Sequence, residues 1–212
     1  MVPDDSERCS LSDILLKNAR VIDPSQGIDG LRDIAIKDGK IEAVDKHIAP
    51  ETARAIYPMD GKIVTPGLID AHCHPALGFT GHAVHPDEAG VNAGVLFVND
   101  AGSAGAANFH TLRAMYQDRV HTEMTYFINL AFAGQIHFPE IMSAHDVDIP
   151  LLKRVVAENP HHIKGLKLRL FDPLLKITPD MVNLALQTAD DLDLPLMIHV
   201  GAFRPREQND PL

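Results

Sequence analysis

Three short segments of this chain carry side chains that could hold a metal ion. The first is His72-Cys73-His74. On a strand, alternate side chains share a face, so both imidazoles point one way and Cys73 the other. Two neutral imidazoles at that spacing can grip one divalent ion, although a polar strand end would read the same way. The second is His199, which ends the run Leu196-Met197-Ile198-His199-Val200. Alone it is a hydrogen-bonded core histidine; beside His72 and His74 it becomes a third ligand. The third is Lys167 in Gly165-Leu166-Lys167-Leu168-Arg169. Here the odd positions share one face and the leucines the other, which places a lysine mid-strand in apolar surroundings. Such a lysine is solvated on an edge strand, paired with a carboxylate, or desolvated. Desolvation lowers its pKa and leaves a neutral amine. That amine can take up CO2, and the resulting carbamate behaves as a bidentate carboxylate able to bridge two cations.

The elements that must position these groups fall into two sections. Through about residue 65 the pattern is of short strands: Ile14-Leu15-Leu16, Ala19-Arg20-Val21-Ile22, Asp33 to Lys37 and Lys40 to Val44. Asp38-Gly39 is a hairpin signal, because both turn residues need positive φ. Asp60-Gly61, between Ala55-Ile56-Tyr57 and Lys62-Ile63-Val64, gives a second such signal. A small antiparallel unit is expected. After Pro66-Gly67, five apolar runs begin near Leu68, Gly94, Met124, His162 and Leu196. Helical stripes separate several of them: Phe109, Leu112, Met115 and Tyr116; then Leu151, Leu152, Val155 and Val156, led by Asp148 and Pro150. Met181, Leu184, Ala185 and Leu192 form another behind Thr178-Pro179, an N-cap followed by proline. Alternating strands and helices predict βα units on a parallel sheet. In a βα barrel the strand ends that carry His72, His74 and His199 face one axis, where such enzymes place their chemistry.

Composition narrows the function classes. The 212 residues include 19 Lys and Arg against 29 Asp and Glu, a net charge of −10. That balance argues against nucleic acid as a partner, since binding rests on neutralising phosphates. Hydrophobic residues make up 45% and charged residues 23%, which is ordinary globular usage. Two cysteines cannot staple a chain this long, and Cys9 reads as a tail thiol. No run approaches the roughly 18 apolar residues of a membrane helix, and the acidic start does not read as a signal peptide. A cytoplasmic protein with no membrane partner is the expectation.

Thr65-Pro66-Gly67-Leu68-Ile69-Asp70-Ala71-His72-Cys73-His74 resembles the strand-one signature of the amidohydrolase superfamily. Asn99-Asp100-Ala101-Gly102-Ser103-Ala104-Gly105 and the Lys167 segment are most similar to its dihydroorotase-like deacetylase branch. The resemblance runs from about Ile14 to Gly201. It implies an α/β fold: a TIM-type (β/α) barrel, here about five of eight strands, preceded by a small N-terminal β-sandwich portion. Residues 1–65 would form the sandwich portion and 66–212 an incomplete barrel. By the same resemblance, His72 and His74 would hold the more buried metal. Lys167, as its CO2-derived carbamate, would bridge to a second, which His199 would bind. Zinc is the expected ion, one or two per chain, although His and carboxylate ligands also suit manganese or iron. A hydroxide shared between the ions would attack an amide carbonyl. The loop from Gly102 to Asn108 would lie beside the substrate, with Ser103, Ala104 and Gly105 offering backbone N–H groups to an anion; a plain helix lead-in fits it equally. Arg169 could bind a substrate carboxylate, or form a structural ion pair. Cys73 is expected to pack, and His137, after the third strand, to line the mouth or sit at the surface with the other unmatched histidines.

The family pattern also has a histidine ending strand six and a general-base aspartate ending strand eight; no catalytic residue of that kind is found here. About 145 residues follow Pro66, against about 250 for a typical barrel. The expected function is metal-dependent hydrolysis of a non-peptide amide C–N bond, namely deacetylation of an N-acyl carboxylate compound, with weak or no turnover by this chain alone. A cyclic amidase of the dihydroorotase or hydantoinase kind is the alternative. A non-enzyme alternative is an inactive product with a binding or assembly role. Unpaired sheet edges leave association into a homo-oligomer open.

Overall fold

The Asp38-Gly39 pair turns as its composition dictates. With φ of 50° and 71° at its two residues, it joins β2 (Ile28–Lys37) to β3 (Lys40–Asp45) as an antiparallel hairpin. The computed structural model describes residues 11–170 and 179–200. Cys9 and Thr178, for which a tail thiol and an N-cap were expected, lie outside the described residues, as does the segment after Val200. The chain divides into two compact units, Met1–Pro66 and Gly67–Leu212.

In the first unit the runs on either side of Lys17-Asn18 are one strand, β1 (Ser12–Asp23), and not two. Its pairing with β2 shifts register between Leu16 and Ala19, and Asn18 adopts a φ of 62°. This is a bulge, where one strand takes up extra residues and the ladder locally breaks. The expected second hairpin at Asp60-Gly61 does not form. β4 (Ala53–Pro58) and β5 (Ile63–Val64) both run parallel to β1, β4 along Ser12 to Lys17 and β5 along Arg20 and Val21. Only Gly61 of that pair has a positive φ, at 73°, whereas a tight hairpin of this type needs both. The turn instead carries the chain past the bulge, with the Arg20 N–H donating to the Lys62 carbonyl at 3.0 Å. The sheet, in order β3-β2-β1-β4 with β5 also on β1, is therefore mixed and not purely antiparallel.

In the second unit all five expected strands form. They are β6 (Leu68–Cys73), β7 (Val95–Gly105), β8 (Glu123–Asn129), β9 (Ile163–Leu170) and β10 (Leu196–Val200). They pair in parallel in sequence order, giving a half-barrel of the (β/α) type. The connections carry α1 (Pro86–Ala89), α2 (Phe109–Tyr116), α3 (Ile149–Glu158) and α4 (Pro179–Leu192). Asp148 caps α3 by accepting the Leu151 N–H at 2.9 Å, just ahead of Pro150. Leu112 of α2, Leu152 of α3 and Ala185 of α4 enter one apolar core with Tyr126, Ile128, Leu166 and Leu168. Burying the leucines of β9 on the helix side leaves Gly165, Lys167 and Arg169 for the opposite, concave face.

β7 is longer than its apolar run, continuing through Ala101 to Gly105. Residues 102–105, expected in a loop, therefore end the strand. No helix among the described residues is long and apolar enough to cross a membrane.

Candidate metal centre

Lys167 is a fully buried polar side chain of the concave face. It is 1% exposed, and β9 lies between β8 and β10, so it is not a solvated lysine on an edge strand. No ion pair reaches it among the described residues. Burial pushes its ammonium down to about 8, helped by the Arg169 charge, against the opposing pull of Glu140 and Asp100. Its backbone neighbour Gly102 makes room for it. A Cβ there would stand 2.6 Å from both Cβ and Cγ of Lys167, and φ is +87°. Asn129, paired across the ladder with Lys167, donates its amide to the Gly102 carbonyl at 3.0 Å.

His72 and His74 meet this lysine. Lys167 Nζ lies 3.4 Å from His72 Nε2, and the two imidazole rings stand edge to face with centroids 6.0 Å apart. Burial first, then the Lys167 charge, lowers both histidines, with His74 brought down to about 4. His74 Nδ1 sits 3.0 Å from Ser103 Oγ. His199 occupies the next strand, its Cα paired with that of Arg169, and is half-buried. Burial and the charges of Arg169 and Lys167 lower it as well. The structure thus brings His72 against both Lys167 and His74, with His199 on the strand next to Lys167.

The donor set suits a cation. Partial burial and the Lys167 charge disfavour protonation of His74 and, although it is exposed, of His72, and each proton kept off leaves a lone pair for a metal ion. Among the described residues no three His, Cys, Asp or Glu side chains stand close enough to hold an ion by themselves. Lys167 is the additional group, and a carbamate on it would supply the oxygen donors that the imidazoles lack.

The remaining expected residues are placed differently. Ser103 and Ala104 are buried. The Ser103 N–H donates to Asp100 Oδ1 at 2.7 Å and that of Gly105 to Asn108 Oδ1 at 3.0 Å. These two amides are committed within the fold, which corrects the expectation that they face a substrate anion. Arg169 Nη1 donates to Glu140 Oε1 at 3.1 Å, with the guanidinium 5.3 Å from the Phe138 ring centre, so the structural ion pair is the arrangement present. Cys73 packs as expected. Its Sγ approaches the Asn99 carbonyl at 3.8 Å, and burial, then Asp70 and Asp100, push its thiol up to about 12. His137 is exposed beside Asp146, so it takes the surface alternative.

Asp100, Asn129 and Glu140 support the site without having been singled out in the sequence. Asn129 ends a buried apolar run as His199 does, and Asp100 precedes a positive-φ glycine, so both left a local signal. Glu140 lies in the connection between β8 and α3 and left none.

No protein-family model matches the chain. A deacetylase of Agrobacterium fabrum (strain C58) is 35% identical over 196 residues, covering 89% of this chain and 48% of that protein. A dihydroorotase of Geobacter sulfurreducens is 48% identical over 61 residues, 29% of this chain. Among solved structures, a crystal structure of a dihydroorotase superposes with a TM-score of 0.78 at 35% identity, covering 89% of this chain and 51% of that one. The chain spans about half the length of the curated deacetylases it matches. A half-barrel whose His-x-His strand end meets a buried lysine, in a chain with these relatives, belongs to the amidohydrolase superfamily.

Proposed function

We propose that this half-barrel carries the metal site of a hydrolase acting on non-peptide amide C–N bonds, and that its substrate is an N-acyl compound bearing a carboxylate. The observation that carries the reading is the contact of Lys167 with His72 on the concave face, with His74 beside them. His72 and His74 would hold a divalent ion, taken to be zinc, and Lys167, as its carbamate, and His199 would serve a second. Both imidazoles are neutral at pH 7, and the lowered Lys167 pKa raises the fraction of free amine. That amine adds to CO2, forming an N–C bond and releasing a proton. Bound divalent ions supply Lewis acidity toward the carbonyl and activate water at neutral pH. Arg169, two residues from Lys167 on the same face, is paired with Glu140 and so takes no part in this reading.

Deacetylation is favoured because the deacetylase likeness extends over 89% of the chain, whereas the dihydroorotase of Geobacter sulfurreducens matches over 29%. The structural likeness to a dihydroorotase keeps ring opening of a cyclic amide as the second reading. The test is elemental analysis of the purified chain after equilibration with zinc and bicarbonate. At least one zinc per chain is expected, with a 13C carbamate resonance that disappears in Lys167→Ala. Zinc content no higher than that of a His72→Ala/His74→Ala double variant would refute the reading. Release of acetate from N-acetyl amino acids, compared with ring opening of dihydroorotate, separates the two substrates.

A further inference from the structure

We infer that a cavity at the far end of the half-barrel from His72 and His199 takes a small zwitterion of the α-amino acid kind, its carboxylate held by Arg113 and Tyr126 and its ammonium by Asp118 and Glu123. The cavity encloses about 200 Å³ where α2 ends and β8 and β9 begin. His72 and His199 lie at the carboxyl ends of their strands. At roughly 30 Å³ per water the space equals about six waters, which suits a ligand of a few heavy atoms. Tyr126 lines it and is 4% exposed. A buried phenol usually finds a hydrogen-bond partner, and the other buried hydroxyls of this cavity have theirs. Tyr116 donates to the Leu77 carbonyl at 2.6 Å and Thr122 to Asp87 Oδ1 at 2.8 Å. The Tyr126 hydroxyl makes no hydrogen bond among the described residues.

The inner end of the cavity is positive. Arg113, half-buried in the last turn of α2, makes no ion pair among the described residues. Its charge reaches both Tyr126 and His162, and the other charges acting on His162 are those of His161 and Lys164. A guanidinium fork beside a free phenol O–H is a donor set for a carboxylate. The outer end has the opposite sign. Asp118 and Glu123 line the cavity and are exposed, and the carboxyl end of α2 adds its partial negative charge. Val120 and Met124, both half-buried, give the wall an apolar stretch. The rim repels a plain carboxylate and Arg113 repels a plain amine, whereas a zwitterion satisfies both ends.

The test is NMR titration of the metal-free chain at pH 7 with glycine and with L-valine, read on the ring resonances of Tyr126 and His162. Saturable shifts of both rings are expected with at least one of the two, while the rings of His72 and His74 stay in place. Isovalerate, which lacks the ammonium of valine, and isobutylamine, which lacks its carboxylate, should each bind at least about tenfold more weakly than the better amino acid. Tyr126→Phe keeps the ring that packs edge to face on Phe109, and Arg113→Gln alters a half-buried helix position, so both should fold. Each should weaken amino-acid binding at least about tenfold, as loss of a hydrogen bond to a charged group does. No saturable shift with either amino acid, undiminished binding in both variants, or isovalerate bound as tightly as the amino acid would overturn the inference. No metal is needed, so the outcome is independent of the metal-site reading.

Discussion

Gly102 shows how a residue without a side chain can hold one that has a long one. Its N–H is taken by Asp100 and its carbonyl by Asn129, and its missing Cβ is the space through which Lys167 passes. Gly102→Ala adds a methyl group at 2.6 Å from two Lys167 carbons, in a backbone conformation that L residues rarely adopt. The atoms it meets are the Cβ and Cγ of a buried side chain, not a flexible tip, so relief requires moving β7 or β9. A loss of roughly 1–3 kcal/mol is expected from overpacking and the left-handed φ. The denaturant midpoint of the second unit reads it, and an unchanged midpoint would show that the strands yield. His72, His74, Lys167 and His199 could be singled out by residue type and strand position. Glu140 could not, because its partner Arg169 is remote in sequence and nothing around it marks it.

At the level of the element, the β1 bulge organises the first unit. It turns the Asn18 N–H toward Asp33, which accepts it at 2.8 Å, along with the Ile48 N–H at 2.9 Å and the Lys17 ammonium. Burial works to raise the Asp33 pKa, but the Lys17 hydrogen bond and the two backbone donors outweigh it and hold the carboxyl below its usual range. A folded pKa below the unfolded value near 3.9 means that the stabilisation is complete above that value. It is lost as pH falls through the folded pKa. The amides of β1 and β2 should therefore exchange faster as pH drops below about 4, after correction for intrinsic exchange. Asp33→Asn should be less protected at pH 7 and should lose that pH dependence. Parallel pH profiles for the two proteins would assign the acid sensitivity elsewhere.

Across the half-barrel, the contact of His72 with Lys167 reports curvature. β6 and β9 are separated by β7 and β8, so in a flat sheet they would stand about 14 Å apart at the usual spacing near 4.8 Å. Their side chains meet at 3.4 Å because the sheet curls and the concave-face residues converge. An ion held there ties together strands that share no backbone hydrogen bonds. Zinc at about 100 times its Kd should accordingly stabilise the second unit by about 2.7 kcal/mol. The shift in urea midpoint should vanish in His72→Ala and Lys167→Ala; an equal shift in those variants would mean that zinc acts elsewhere. The sequence by itself determined the five strands and the helix stripes between them, and it singled out four basic residues as candidate ligands. Those follow from periodicity and from polar residues at the ends of apolar runs, which are local signals. Only the tertiary structure decided that Asp60-Gly61 passes a bulge instead of closing a hairpin, since that depends on β1 already offering an edge. It alone showed that Ser103 and Gly105 spend their amides inside the fold, that Arg169 belongs to Glu140, and that Lys167 is buried without an ion pair among the described residues. Each is a pairing between distant segments, and its partner becomes available only once the sheet has curled.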